Sequence, residues 1–331
     1  MKGEVLIGID LGGTNCRAAL VTLDGEILVI NKVPTKMAEG RDFFLARLFR
    51  MCDDLIQFAA REGLLVSALG MGAAGVISPS GAVTVSPNLA PLNGFPLAAA
   101  IRDQFALPTT LANDANAIAW GEAILGAGRV FSSFLTITLG TGVGGGLILD
   151  RKLWKGADGS AGEIGHFVVE PEGRECRCGS RGCLEQYASA TGIVRTAVDS
   201  LARGEYSVLA GLPREEITSL KVSEAARGGD GVALNAFREA GERLGQVLAS
   251  VANLLNLDGV VITGGPAESL DLIRPWLEKE IKARAFEIPF RRMKIVRGEL
   301  GEEAGILGSA RLAHDELLAA QRRDDPKPTQ N

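Results

Sequence analysis

Short apolar runs bounded by glycine turns alternate with longer segments of helical periodicity along most of the chain. The first three apolar runs follow one another directly and predict a β-meander, whose first turn is Asp10-Leu11-Gly12-Gly13-Thr14-Asn15. Strands that alternate with helices indicate an α/β architecture. The predicted strands are 4–9, 17–23, 26–32, 69–72, 110–112 and 259–263, and the predicted helices are 42–62, 97–105, 115–125, 235–256 and 303–320.

The opening segment recurs in the middle of the chain. Residues 9–14 read Ile-Asp-Leu-Gly-Gly-Thr and align with residues 137–142, Ile-Thr-Leu-Gly-Thr-Gly, which again lie between two apolar strands. This recurrence predicts a divergent internal duplication. We therefore expect two α/β domains that flank a cleft. The expected domains are 1–112 together with the last helix at 303–321, and 113–302, followed by a disordered polar tail at 322–331.

Composition narrows the classes of partner. The chain has 331 residues, of which 46% are hydrophobic and 23% charged, which is an ordinary balance for a soluble globular protein. The net charge of −5 and the scattered Lys and Arg argue against a nucleic-acid partner. The apolar run after the N-terminus is too short for a signal sequence, and no run approaches the roughly 18 residues that span a bilayer. We expect a cytoplasmic protein without a membrane partner.

One histidine and three cysteines lie close together in the middle of the chain. Zn²⁺ in structural sites takes four nitrogen or sulfur ligands in a tetrahedron, and this set fills the tetrahedron completely. The spacing therefore predicts a structural zinc loop at 163–185, with Glu163 and Glu185 at its ends as the polar lining of a binding site. The predicted ligands are His166, Cys176, Cys178 and Cys183.

His166 alone would be an ordinary structural residue, but as a zinc ligand its second ring nitrogen can still face a substrate.

The cysteines and the histidine outside this set predict no chemistry. Cys16 and Cys52 stand in apolar surroundings, which is typical of buried free thiols rather than of a disulfide scaffold. His314 belongs to the last predicted helix, where we expect a solvent-exposed side chain.

Three glycine turns are candidates for phosphate binding. Asp10 ends a buried strand, Gly12 and Gly13 allow main-chain amides to approach a ligand, and Thr14 adds a hydroxyl. Asp10 can position Mg²⁺ directly or through water. A single glycine turn often only joins strands, but the second copy at Thr141 and Gly142 favours two turns that hold one polyphosphate from opposite sides.

A third glycine pair follows the strand at 259–263. Gly264-Gly265 taken alone is an ordinary turn from strand to helix. Beside two phosphate-binding turns, it becomes the floor of an adenosine site.

Asn113 and Asp114 stand between a short strand and a helix, where either can simply cap the helix. A carboxylate at that position can also accept the proton of a substrate hydroxyl, which phosphoryl transfer requires of its base. Asp114 is therefore the candidate catalytic base. Asn113 and Asn88 offer a donor and an acceptor each for sugar hydroxyls, although Asn88 lies in a proline-rich loop that also favours a simple turn.

These features resemble the ROK family of sugar kinases, and within it the bacterial glucokinases, over roughly residues 5–315. The most specific motifs are Gly162-Glu163-Ile164-Gly165-His166 and the run 176–185, Cys-Arg-Cys-Gly-Ser-Arg-Gly-Cys-Leu-Glu. The resemblance implies duplicated actin-like domains of the ribonuclease H type and structural Zn²⁺ on the four ligands. It also implies that Asp114 is the base and that Asp10 serves the metal-nucleotide. The residues implied to hold the sugar are Asn88, Asn113, Asp114, Glu163, His166 and Glu185.

The resemblance implies a hexose kinase that uses ATP and Mg²⁺. Glucose phosphorylated at its C6 hydroxyl is the first expectation, and N-acetylmannosamine, mannose, allose or fructose are the alternatives. The family also contains sugar-responsive repressors with a helix-turn-helix before the first glycine turn, and only nine residues precede Asp10 here. Relatives of this kind self-associate, so we expect a homodimer or homotetramer.

Overall fold

The computed structural model describes residues 3–324, and the chain divides into two compact units. Unit 1 takes the chain up to Arg129, the segment Leu153–Ala161 and the chain from Glu302 onward. Unit 2 takes Val130–Lys152 and Gly162–Gly301. Each unit has a hydrophobic core of its own.

The strands of the first half are β1 Glu4–Leu11, β2 Asn15–Thr22, β3 Ile27–Pro34, β4 Leu65–Ala73, β5 Val76–Ile77, β6 Val83–Val85 and β7 Thr109–Asn113. Five of them form one sheet in the order β3-β2-β1-β4-β7, and β5 pairs with β6 separately. β1 runs antiparallel to β2 and parallel to β4, which is parallel to β7. The carboxyl ends of β1, β4 and β7 therefore meet at one edge.

The remaining strands are β8 Phe134–Leu139, β9 Val143–Leu149, β10 Lys152–Trp154, β11 Gly259–Thr263 and β12 Lys294–Arg297. They form a second sheet in the order β10-β9-β8-β11-β12. β8 is antiparallel to β9 and parallel to β11, which is parallel to β12. Strand order and direction repeat those of the first sheet, so the predicted internal duplication is confirmed.

The helices are α1 Arg41–Arg61, α2 Leu97–Phe105, α3 Asp114–Ile124, α4 Glu185–Ala188, α5 Ala190–Ala202, α6 Ser219–Arg227, α7 Gly231–Leu255, α8 Leu270–Arg284, α9 Glu287–Arg292 and α10 Ala304–Asp324. The helices predicted from periodicity agree with these bounds to within a few residues. Within residues 3–324, no helix is both long and apolar enough to cross a bilayer.

Two glycines in the first sheet let the backbone of α10 lie directly on it. A Cβ on Gly8 would overlap the carbonyl of Ile306, and one on Gly70 would overlap the carbonyl of Ser309. The Ser309 hydroxyl also donates to Ile9 O at 3.0 Å and accepts from Ile9 N at 3.1 Å. The last helix is thereby fixed to β1 and β4.

Helix α3 belongs to unit 1, although the sequence placed the domain boundary at residue 112. The unit extends to Arg129 because α3 packs on α10 at two glycines, Gly121 and Gly308, whose absent side chains bring the helix backbones together. The pattern of strands and helices in the sequence does not reveal this contact between α3 and α10, so the boundary predicted from it was too early.

Two features of α10 differ from the sequence expectations. His314 was expected on the solvent side, which is wrong, because only 9% of the residue is exposed where α10 packs within unit 1. The helix also continues to Asp324, into the segment 322–331 that was predicted to be disordered. Arg322 and Arg323 favour that last turn, since cations suit a helix C-terminus. The rest of that segment, 325–331, lies outside the described residues.

In unit 2, the long helix α7 supplies much of the core. Its buried face includes Leu244 and Leu248, which are fully inaccessible. Gly241 and Gly245 lie against α8, where a Cβ would approach the carbonyls of Ile273 and Leu277. Helix, sheet and zinc-loop residues such as Ile164 and Leu184 share this core, so the loop's backbone is fixed on both sides of its cysteines.

Candidate active site and zinc loop

The carboxyl edge of the first sheet gathers the predicted residues of unit 1. Asp10 on β1 pairs in register with Gly72 on β4, and Gly72 pairs with Ala112 on β7. Asp114 follows β7 directly as the first residue of α3. Neighbouring strands lie about 4.8 Å apart, so the backbones of Asp10 and Ala112 are separated by roughly 10 Å. The carboxylates of Asp10 and Asp114 are therefore carried at the same edge of the sheet.

The turn after β1 is held by the chain that follows β3. Gly12 N donates to Asn15 O at 3.0 Å, and the Thr35 hydroxyl donates to Gly12 O at 2.7 Å. Thr35 N also donates to Thr14 O at 2.8 Å. A Cβ on Gly13 would lie 3.0 Å from the Cβ of Asn88, so the predicted phosphate turn and a predicted sugar residue are in contact.

Asp10 has a partner that the sequence analysis did not identify. Arg17 on β2 stands opposite Asp10 in the hairpin register, and its guanidinium donates to Asp10 Oδ2 at 2.6 Å. The same guanidinium donates to the carbonyl of Glu302 at the start of the α10 segment. The signal was present in the sequence, because a charged residue in an otherwise apolar strand is expected to have a cross-strand partner.

Asn113 and Asp114 are positioned by the start of α3. Asn113 is the N-cap, since its side-chain oxygen accepts from Asn116 N at 3.1 Å, while its amide donates to Gly75 O at 3.0 Å. The capping role expected as the alternative is thus present. Asp114 is half-buried, and its Oδ1 accepts from Ala115 N at 2.9 Å. A carboxylate at a helix N-terminus is stabilised by the helix dipole.

The second sheet repeats this arrangement at the carboxyl edge of β8 and β11. Thr138 pairs with Thr263, so the turn that contains Thr141 and Gly142 and the pair Gly264-Gly265 leave the sheet at the same edge. Gly264 has a φ of 92°, and a Cβ there would overlap the carbonyl of Leu139. Gly265 begins a short 3-10 helix that leads into α8, so this pair does form a strand-to-helix turn.

Glu185 joins the zinc loop to the second glycine turn. Its Oε2 accepts from Val143 N at 3.1 Å, and the carboxylate occupies the space that a side chain at Gly142 would need. Glu185 is also the first residue of α4, immediately after the zinc segment. A predicted sugar ligand and a predicted nucleotide turn of unit 2 are therefore in direct contact.

The four predicted zinc ligands come together in unit 2. One atom from each of His166, Cys176, Cys178 and Cys183 lies within 4.8 Å of all the others. The Sγ atoms of Cys178 and Cys183 are 3.6 Å apart, and Cys176 Sγ lies 3.7 Å from His166 Nδ1. A tetrahedral Zn²⁺ with bonds of about 2.3 Å to sulfur and 2.05 Å to nitrogen needs edges of about 3.8 and 3.5 Å. The donor set therefore fits zinc, and the fourth ligand closes the site.

The geometry assigns different directions to the two nitrogens of His166. Nδ1 faces the sulfur atoms, whereas Nε2 lies 3.9 Å from Glu163 Oε2. Both side chains are partly exposed, at 37% and 49%. Metal ligation through Nδ1 would leave Nε2 and Glu163 together on the accessible side of the loop, where they can bind polar groups.

Burial and hydrogen bonding act in opposite directions on the thiols of this site. Burial raises the pKa of Cys183 to about 12, whereas the main-chain hydrogen bond from Ser180 lowers the pKa of Cys178. The two cysteines outside the loop behave as ordinary core residues. Cys16 and Cys52 are fully buried, and burial raises the pKa of Cys52 to about 12. The expectation of free buried thiols is confirmed.

Over nearly its full length, the chain is similar in sequence to sugar kinases and to a sugar-responsive repressor. It is 35% identical over 320 residues to the glucokinase of Streptomyces coelicolor, covering 93% of this chain and 97% of that protein. A xylose repressor of Caldicellulosiruptor bescii is 30% identical, with 95% of this chain and 79% of the repressor covered. An N-acetylmannosamine kinase of Yersinia pestis is 30% identical, with 94% and 99% covered.

The fold agrees with solved structures as well. A crystal structure of a ROK family glucokinase from Streptomyces griseus in complex with glucose and AMPPNP matches with a TM-score of 0.79 and 35% identity. It covers 94% of this chain and 99% of the other. The expectation of duplicated actin-like α/β domains is thereby confirmed. The sequence model of the ROK family matches residues 6–316, and the chain belongs to the ROK family.

Proposed function

We propose that the protein is an ATP-dependent hexose kinase that phosphorylates the C6 hydroxyl of glucose. The observation that carries the proposal is the pair of carboxylates, Asp10 and Asp114, at one sheet edge of a chain that is 35% identical to a glucokinase. Two carboxylates with different partners suit two roles. Asp10 is held by Arg17, whereas Asp114 stands at a helix start among groups that can bind a hydroxyl.

Asp114 accepts the proton of the attacking hydroxyl in this proposal. The Asn113 side chain fixes the start of α3, and the main-chain N–H of Ala115 orients the Asp114 carboxylate. Phosphoryl transfer depends largely on positioning and on charge stabilisation, so a fixed base contributes by holding the hydroxyl in line. The main role of α3 in this proposal is therefore to position the Asp114 carboxylate.

Sugar hydroxyls are bound by Asn88, Glu163, His166 and Glu185 in this proposal. Carboxylates, amides and a ring nitrogen give both donors and acceptors, which discriminate among hydroxyl patterns. Structural Zn²⁺ on His166, Cys176, Cys178 and Cys183 holds the loop, so that Glu163 and His166 Nε2 keep their direction.

The nucleotide is proposed to use the glycine turns of both sheets. Main-chain N–H groups around Gly12, Gly13 and Thr14, and around Thr141 and Gly142, donate to phosphate oxygens, while Asp10 serves Mg²⁺. When bound, Mg²⁺ neutralises charge on the transferring phosphoryl group. Gly264 and Gly265 offer a surface without side chains for the adenosine.

The test is ADP formation from ATP and Mg²⁺ with glucose, N-acetylmannosamine, mannose, allose and fructose. Asp114→Asn keeps the size of the side chain and removes the base, so turnover should fall by about 10²–10⁴-fold. Asp103→Asn, an exposed carboxylate on α2, is the matched control and should keep parental activity. Equal turnover by Asp114→Asn and Asp103→Asn would exclude Asp114 as the base.

The second candidate is a kinase for another hexose. The observation that favours it is the 30% identity to an N-acetylmannosamine kinase over nearly the full length of both chains. Preferential turnover of that sugar in the same panel would replace glucose and leave the mechanism unchanged. Sugar binding without turnover of any sugar would support a sugar-responsive binding protein instead.

A further inference from the structure

The folded zinc loop brings Arg174, Arg177 and Arg181, which lie within eight positions of the sequence, together with Arg195 of α5. A cavity of about 570 Å³ on unit 2 is lined by four arginines and only one carboxylate. We define this cavity as the arginine pocket, and its lining consists of Arg174, Glu175, Cys176, Arg177, Arg181 and Arg195. The whole chain carries a net charge of −5, so a local excess of guanidinium groups here is not a general property of the surface.

The charges of this pocket are only partly neutralised. Arg181 pairs with Glu175 at 3.0 Å, and Arg174 lies 3.3 Å from Asp199 and 3.7 Å from Glu239. Arg195 lies 3.9 Å from the same Asp199 carboxylate, so four arginines face three carboxylates. Within residues 3–324, no hydrogen bond or ion pair is found for the exposed Arg177 side chain. Arg177, Arg181 and Arg195 are thus accessible donors with spare hydrogen-bonding capacity.

We propose that the arginine pocket is a second binding site for a phosphorylated small molecule or a short phosphate chain. Guanidinium groups bind phosphate oxygens with two parallel hydrogen bonds, and several of them in one cavity select a multiply charged anion. The volume lies in the range of roughly 300–1,000 Å³ that is usual for small-molecule sites. Four arginines in the lining favour an anionic ligand over an apolar one.

The pocket is connected to the sugar-binding residues through α4. Arg174 donates to the carbonyl of Gln186 at 2.7 Å, and its guanidinium lies 4.7 Å from the centre of the Tyr187 ring. Tyr187 Oη accepts from Arg174 N at 3.0 Å. Gln186 and Tyr187 follow Glu185 in α4, and Cys176 of the pocket wall belongs to the zinc set.

An anion in the pocket therefore changes the affinity for sugar in this proposal. The anion competes for the guanidinium groups that hold α4. It can change the affinity for sugar only as far as it binds more tightly to one position of α4 than to the other. This coupling rests on the proposed hexose kinase activity, whereas binding in the arginine pocket does not.

The binding test uses isothermal titration calorimetry on the zinc-loaded full chain, with glucose, Mg²⁺ and a non-hydrolysable ATP analogue present to fill the proposed active site. Inorganic phosphate, tripolyphosphate and glucose 6-phosphate are titrated separately, which distinguishes a free anion from a sugar phosphate. The variants are Arg177→Ala and Arg177→Ala with Arg181→Ala. Arg291→Ala, an exposed arginine on α9 of the same unit, is the matched control.

We expect one phosphate-containing ligand per chain in the parent, with a Kd at least tenfold weaker in the double variant and unchanged in Arg291→Ala. Zinc content and the melting curve establish that each variant is folded. Equal Kd values for the parent and both arginine variants would overturn the site. Absence of binding by all three phosphates to the folded parent would overturn the proposed ligand.

The coupling test measures the KM for glucose with and without the tightest of these phosphates. We expect at least a twofold change in the parent and none in the double variant. An unchanged KM in the parent, with binding retained, would remove the coupling and leave the site. Absence of turnover with every sugar would refute the proposed kinase, while the calorimetric result still decides whether the arginine pocket binds phosphate.

Discussion

Substitution of Gly142 should weaken sugar binding strongly while unit 2 remains folded. Gly142→Ala places a Cβ in the space of the Glu185 carboxylate, which now accepts from Val143 N at 3.1 Å. Gly142 does not have a positive φ, so alanine fits the backbone itself. The flexible Glu185 side chain can swing away, and the fold should persist while the carboxylate leaves its position.

The expected loss of glucose affinity follows from the hydrogen bond that the Glu185 carboxylate would make to a sugar hydroxyl. A hydrogen bond to a charged group contributes about 1.5–3 kcal/mol. If Glu185 holds the sugar, displacement of its carboxylate should weaken glucose binding by about 10- to 100-fold, since about 1.4 kcal/mol corresponds to a factor of ten. The free energy of unfolding should fall by about 1–3 kcal/mol, because the buried Val143 N–H loses its carboxylate acceptor, and the variant should remain folded.

The assay is calorimetric titration of glucose without nucleotide, together with thermal melting. Gly140→Ala is the matched control in the same turn, because a Cβ there has no heavy atom within 4 Å, apart from its own chain neighbours. We expect weakened glucose binding in Gly142→Ala and parental binding in Gly140→Ala. The same glucose affinity in both variants would refute the assignment of Glu185 to the sugar.

Three further predictions concern the metal and the packing of α10. Cys183→Ser should abolish zinc binding, as measured by atomic absorption, while Cys52→Ala should keep the parental zinc content. Zinc affinity should rise with pH, because burial keeps the pKa of the metal-free Cys183 thiol near 12 and the thiol must lose its proton to bind the metal. Calorimetric titration in buffers of different ionisation enthalpy detects the released proton. A zinc affinity independent of pH would contradict this reasoning. Gly70→Ala should reduce the free energy of unfolding by about 3 kcal/mol in denaturant titrations, since its Cβ would overlap the α10 backbone, whereas Gly231→Ala meets no neighbour and should be neutral.

Local patterns predicted the parts of the molecule whose interactions are local. The clustering of His166, Cys176, Cys178 and Cys183 was predictable because their spacing is short and their side chains suit one metal. The duplication was predictable because the turns after β1 and β8 keep a common sequence, which the matching order of the two sheets confirms. Helix α2 was predicted with its observed bounds, Leu97–Phe105.

Interactions between distant parts of the chain were not predictable in this way. The Glu185 carboxylate lies on Val143, 42 positions earlier in the chain, and no spacing rule relates the two. His314 was misassigned because the last helix is packed on more than one side, and its sequence periodicity does not reveal that. Asp10 and Arg17 form an intermediate case, since the hairpin register that pairs them could have been derived from the two strands.

Helix α4 connects the glycine turn, the zinc loop and the arginine pocket within four residues. Glu185 accepts from the glycine turn, and the carbonyl of Gln186 and the ring of Tyr187 both contact Arg174. The preceding residue, Leu184, is fully buried and donates from its N–H to Phe167 O, next to His166. Because so short a helix has few hydrogen bonds of its own, its position depends on these neighbours. Substitutions of Arg174 are therefore expected to move the Glu185 carboxylate, and with it the proposed sugar site, without contacting the sugar.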